Sequence, residues 1–325
     1  MSGESWADRN ERGSSLLLRV MIWLTLNLGW NLAQILLVPI TGWFFATSPA
    51  ARAASREFLD RSLGRPATAP DVFRHLHTFS RAILDRVLLL SNRVEDFRIE
   101  LIGLDHLKVT LARGGGCVLL GSHLGSFEVL RALGRDAPVR VRPLMYRRNA
   151  GGPTRILERI DPSLRDSIID IGAAGSMLEV RECLARGEIV GILGDRAPGE
   201  RNVVETRFLG SQAAFPAGPL ILAATLGVPI VLFYGIRTGP RRYTVHFEPF
   251  AERLAPRRPE RMESVRAGVE LYASRLEAMC LAHPFNWFNF YPFWETKHAD
   301  PQGPRRPAGA SGRISPRRRA SSDAE

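Results

Sequence analysis

The chain has 325 residues, 45% of them hydrophobic, enough to bury one large core. Its 44 Lys and Arg against 33 Asp and Glu leave a net charge of +11, which points to an anionic partner; without zinc-finger spacing or an aromatic RNA-binding signature, nucleic acid is set aside as that partner. Cys117, Cys183 and Cys280 lie far apart with no CxxC pair, which argues for a reducing compartment and against a disulfide framework or a metal site.

The first dozen residues are polar, and an uncharged run of 26 residues follows from Val20 to Phe45. That exceeds the roughly 20 needed to span a bilayer core as a helix, and it reads as an uncleaved membrane anchor. At 100° per residue Trp23, Asn27, Trp30 and Gln34 share one arc, a face that needs a polar partner. Pro39 is expected to break or kink the helix. Arg52, Arg56, Arg61 and Arg65 then suggest a cytoplasmic downstream domain by the positive-inside bias. A linker over residues 64–70 precedes a helix over 71–91.

From Cys117 onward, strand-type and helix-type runs alternate. Strands are expected at 117–121, 139–146, 189–193, 228–236 and 243–247, and helices at 127–133, 176–185, 216–226 and 261–281. This alternation argues for an α/β sheet with helical cover. The segment from 298 to 325 is rich in Pro, Gly, Ser and Arg and is expected to be a disordered basic tail.

The sharpest motif is Gly121-Ser122-His123-Leu124-Gly125-Ser126-Phe127-Glu128. In one continuous helix His123 and Glu128 would point about 140° apart. With His123 in a turn and Glu128 in the first helical turn, the two side chains can meet. A carboxylate on one ring nitrogen fixes the tautomer and raises the basicity of the other. The free nitrogen could then deprotonate an acceptor hydroxyl as it attacks an acyl thioester. Ser122 is not placed as a hydrolase nucleophile, because the middle Ser of GxSxG is absent. The plainer alternative makes His123 a loop residue and Glu128 a surface one.

Gly194-Asp195-Arg196 ends a second apolar strand. There Asp195 could orient an acceptor and Arg196 could bind a phosphate or carboxylate, or the pair could be an ordinary turn. The block from Arg207-Phe208 to Gly218-Pro219 could border an acyl slot or simply lead into a buried helix. Arg147 and Arg148 end a further strand and could meet an anionic headgroup or be solvated. Seven of the ten residues from Phe285 to Trp294 are aromatic; they either seal the core or pack at the membrane interface.

Together the anchor, HxxxxE at His123 and Glu128, Gly194-Asp195-Arg196 and the block from Phe208 to Pro219 resemble the late acyltransferases of bacterial lipid A biosynthesis. That lauroyl/myristoyl transferase family lies within the lysophospholipid and glycerolipid acyltransferase superfamily. The resemblance covers about residues 11–294 and implies a central mixed β-sheet flanked by helices behind an N-terminal membrane-anchor helix. It divides the chain into a polar segment and anchor at 1–65, an acyltransferase domain at 66–297 and a tail at 298–325.

It further implies a fatty acyl group moved from an acyl-carrier-protein thioester, or from coenzyme A, to a hydroxyl or amine of a lipid or glycolipid. His123 and Glu128 would be catalytic, with Ser122, Arg147, Arg148, Asp195, Arg196, Arg207, Phe208 and Gly218 around the substrates. No metal or organic cofactor is implied, and the place is the cytoplasmic face of the bacterial inner membrane. The aromatic ending departs from the Trp and basic residues usual in that family and looks like a sister branch, which leaves the acceptor open. Two other readings remain: a hydrolase using the same pair to activate water, and a scaffold without turnover.

Overall fold

A computed structural model describes residues 22–23, 25, 27, 29–132, 140–146, 158, 161–196, 202–255 and 260–294. Arg147, Arg148 and the tail at 298–325 lie outside the described residues.

The apolar N-terminal run is not one helix. It is interrupted at Gly29, whose φ of 89° leaves helical space, and resumes as α1, Trp30–Thr47. Pro39, expected to break it, sits inside α1. Pro removes one N–H from the ladder, and its place on the exposed side leaves the packed face intact. Among the described residues α1 alone is long and apolar enough to cross a membrane, by length and composition. The polar arc of the run divides: Trp23 and Asn27 are exposed, whereas Gln34 is buried and Trp30 bonds to the next layer.

Helix α2, Pro49–Leu63, starts on a proline, whose fixed φ suits the first turn, and ends at left-handed Gly64. Helix α3, Ala69–Leu90, opens with a capping box between Thr68 and Asp71. Strand β1 is Arg98–Ile102, α4 is Leu104–Ala112 and β2 is Cys117–Gly121. A 3-10 turn occupies Phe127–Ala132. Then come β3 Val141–Met145, α5 Ser163–Ser167, β4 Ile169–Asp170, α6 Ser176–Ala185 and β5 Ile189–Leu193. The hairpin β6 Val203–Phe208 and β7 Ser211–Pro216 follows, then α7 Gly218–Leu226, β8 Ile230–Gly239, β9 Arg242–Ala251 and α8 Glu260–Ala282.

Among the described residues seven strands form one mixed sheet in the order β1-β9-β8-β2-β5-β3-β4. Strands β8, β2, β5, β3 and β4 run parallel, β9 is antiparallel to β8, and β1 is parallel to β9. Central strand β2 is buried along its whole length, as a strand covered on both faces must be. Its side chains alternate between two cores. Val118 and Leu120 join the cluster with Phe58, Leu76, Phe215 and Trp287, while Cys117 and Leu119 join Leu88, Leu107 and Phe247 on the other face. Strand β8 divides the same way, with Leu232 and Tyr234 on one face and Val231 and Phe233 on the other.

One buried polar network fastens the N-terminal layer to the sheet. Asp85 of α3, with no exposure, accepts hydrogen bonds from Trp30 Nε1 of α1 (2.9 Å), Arg237 Nε of β8 (3.0 Å) and Tyr243 OH of β9 (2.9 Å).

Candidate active site

Strands β2 and β5 are parallel neighbours, with Gly121 opposite Leu193. The residues that follow them, Ser122-His123 and Gly194-Asp195, therefore leave the sheet side by side at the carboxyl end of the strands, where α/β sheets hold their ligands. Gly194 N–H donates to the Gly121 carbonyl (3.0 Å), and Tyr272 OH from α8 donates to the same oxygen (2.8 Å).

This register gives the imidazole a different carboxylate from the one its motif suggests. His123 Nδ1 lies 2.8 Å from Asp195 Oδ1, and His123 N–H donates to Asp195 Oδ2 at 2.9 Å. A carboxylate can only accept, so Nδ1 carries the proton and Nε2 presents a lone pair. Among the described residues Nε2 has no hydrogen-bond partner, and the His123 side chain is 27% exposed. Asp195 has no exposure; it also accepts from Trp287 Nε1 (2.9 Å) and Asn289 Nδ2 (3.0 Å). Orienting an acceptor, the role the sequence offers it, is therefore out of its reach.

Burial would raise the Asp195 carboxyl, but the facing imidazole, Arg196 and its hydrogen bonds together hold it at about 2. Burial pulls the His123 pKa below its ordinary value; the Arg196 charge adds to this, and Asp195 opposes both. The pair therefore rests as carboxylate and neutral imidazole, the state in which a base waits for a proton.

Glu128 does not bond to the ring. Its Oε1 pairs with Arg86 Nε of α3 at 2.7 Å, and its Oε2 accepts from Ser126 Oγ at 3.0 Å. The cause lies in the backbone between the two motif residues. After His123 the chain makes two isolated bridges, Leu124 to Trp287 and Gly125 to Gly235, and the 3-10 turn begins only at Phe127. Glu128 is thereby carried to α3, and the HxxxxE spacing joins ring and carboxylate through the loop instead of by contact.

Gly125 is essential to that path. Its φ is +80°, and a Cβ there would lie 1.9 Å from the Gly235 carbonyl oxygen. Gly125→Ala is expected to displace the 122–128 loop and lower any activity that depends on His123 at least 100-fold, far beyond the roughly 1 kcal/mol an Ala causes at a compatible site. Turnover within threefold of wild type would show that the loop tolerates displacement.

The other sequence candidates scatter. Ser122 is buried, and its Oγ has no partner among the described residues. Arg196 uses Nε on Asn289 Oδ1 (2.6 Å) and Nη2 on the Phe288 carbonyl (3.0 Å), tying the aromatic ending to the site. Arg207 points to solvent from β6, whereas Phe208, its neighbour, is buried against Phe215, Trp287, Phe293 and Trp294. Gly218 is exposed at the start of α7.

The residues missing from the sequence candidates are Asn286, Trp287 and Asn289. Asn286 O accepts Gly125 N–H (2.8 Å), and its side-chain oxygen accepts Arg237 N–H (2.9 Å). The signal was present: two asparagines inside an aromatic run, buried with it, require polar partners.

A family model described as bacterial lipid A biosynthesis acyltransferase matches residues 74–296, from α3 through the aromatic ending. No curated protein matches the chain.

Proposed function

Because the chain belongs to the bacterial lipid A biosynthesis acyltransferase family, we propose that it transfers a fatty acyl group from a carrier thioester to a hydroxyl or amine of a lipid acceptor, with His123 as general base. The observation that carries this reading is the His123–Asp195 contact, which leaves Nε2 with no partner among the described residues at the carboxyl end of the strands. The acceptor O–H gives its proton to Nε2 as its oxygen bonds to the thioester carbonyl carbon. Asp195 stabilises the imidazolium so formed. The tetrahedral intermediate then collapses with cleavage of the C–S bond, and the thiolate leaves with the proton held on Nε2. The substrate supplies the nucleophile, so no acyl-enzyme is required.

Glu128, joined to Arg86 and Ser126, supports this reading as the group that shapes the loop behind the ring. An acyl carrier protein is the proposed donor, its acidic surface matched to a chain of net charge +11. The apolar length of α1 supports attachment to a membrane, and the arginines from Arg52 to Arg65 that follow it support a cytoplasmic face.

The test is product analysis with a radiolabelled acyl-carrier thioester and bacterial lipid extract in vesicles. Label is expected to enter a lipid, at least tenfold above the free fatty acid released and only when extract is present. Label released as fatty acid at the same rate with or without extract would replace transfer by hydrolysis.

A further inference from the structure

We propose that Trp287, held in place by His75, is a positioning residue that aims the Asp195 carboxylate at His123 and sets the basicity of the ring. The proposal rests on the reading of His123 as the general base.

The two oxygens of Asp195 are treated unequally. Oδ2 accepts three N–H groups, from the His123 backbone, Trp287 Nε1 and Asn289 Nδ2, whereas among the described residues Oδ1 takes only the ring Nδ1. Turning the carboxylate would break three bonds at once in a site with no water exposure, where each lost partner is costly. Oδ1 is thus pinned on the ring.

Trp287 is itself doubly fixed. Its indole is fully buried, with the rings of Phe58, Phe208 and Phe293 centred 4.9, 5.4 and 4.8 Å away. Its carbonyl accepts from His75 Nε2 of α3 at 2.9 Å. A carbonyl only accepts, so the His75 proton sits on Nε2 and Nδ1 accepts from Ser55 Oγ of α2, also at 2.9 Å. A continuous line of hydrogen bonds therefore runs from Ser55 through His75, Trp287 and Asp195 to His123. The same segment holds the backbone of the base, because Phe288 N–H donates to the His123 carbonyl (2.8 Å). Burial lowers the His75 pKa to about 4, so the imidazole stays neutral and keeps this pattern at working pH.

The sign of the electrostatic effect follows. An N–H on Oδ2 spreads the carboxylate charge and weakens its hold on the imidazolium. Removing one such donor should raise the His123 pKa and move the acid limb of the kcat/KM profile to higher pH. Loss of aim should lower kcat without changing KM for the thioester.

The experiment compares Trp287→Phe, which keeps an aromatic ring and removes the N–H, with His75→Phe and His75→Gln, assayed as full-length protein in detergent. Trp287→Phe is expected to lose about ten- to a hundredfold in kcat, hold KM within about twofold and shift the acid limb upward. His75→Phe should lose kcat in the same range, and His75→Gln, whose amide can donate to the Trp287 carbonyl, should recover most of it.

Wild-type kcat in a folded Trp287→Phe would overturn the proposal. So would a loss of kcat with an unmoved acid limb and no difference between the two His75 variants. Should Trp287→Phe fail to fold, equal activity of His75→Phe and His75→Gln would overturn it. Wild-type turnover by His123→Gln would instead sink the general-base reading on which the proposal stands.

Discussion

Asp195→Asn is expected to lower turnover about 10³- to 10⁴-fold while the protein stays folded. The reason lies in the three N–H groups that converge on Oδ2. An asparagine must turn its single oxygen toward them, which leaves its NH₂ facing the ring. Nδ1 must then accept, and the ring proton moves to Nε2. The nitrogen that should receive the acceptor's proton is thereby already occupied. His123→Gln should lose as much, since the glutamine amide has no basic nitrogen to take the proton.

Steady-state assay with the carrier thioester, beside a thermal melt within about 3 °C of wild type, checks both variants. Either one retaining more than a tenth of wild-type turnover would remove the pair from the chemistry. In the wild-type enzyme the depressed His123 pKa places the neutral, active form below the ordinary histidine range. Activity should therefore persist under mildly acidic conditions and fall only as the ring is protonated at lower pH.

Asp85→Ala is expected to have the largest effect on stability, about 3–5 kcal/mol, because it leaves the buried Arg237 guanidinium without its counter-charge. Trp30 Nε1 and Tyr243 OH lose their acceptor at the same time. Since Trp30 belongs to α1, the variant should also loosen the N-terminal helix from the domain. Chemical denaturation in detergent measures the first effect, and limited proteolysis around residues 29–47 the second. Adding Arg237→Met to Asp85→Ala should restore part of the stability, since replacing both members of a buried pair with apolar residues is often neutral. A loss below 1 kcal/mol for Asp85→Ala would mean that the guanidinium reaches water.

Where local pattern decided structure, the sequence was legible. Strands 117–121 and 189–193 and helix 176–185 stand where hydrophobic runs and flanking glycines place them. Edge strand β1, Arg98–Ile102, was missed because it alternates exposed and half-buried residues and carries Arg98 and Glu100. The β6–β7 hairpin was missed because its two turn residues are Leu209 and Gly210, and Leu209 takes a φ of +48°, far from the usual Asn-Gly signal.

At the site, the motif places His123 at the strand end, and the carboxylate its ring contacts is Asp195 instead of Glu128. Glu128 is five residues from His123, whereas Asp195 is 72 residues away and is brought in by the pairing of β2 with β5. Proximity along the chain suggested Glu128 as the ring's neighbour, and strand register places Asp195 there.

The distances along the chain between His123, Asp195 and Trp287 have a bearing on biosynthesis. The base is joined to a carboxylate 72 residues downstream, and that carboxylate to an indole 92 residues further on. Such long-range pairings form late, after loop closure has been overcome. On the proposed reading, a growing polypeptide that has not yet reached Trp287 lacks one of the groups that hold Asp195 against His123. A nonsense codon shortly before Trp287 is then expected to yield an inactive product, which an acyl-transfer assay of the truncated chain would check.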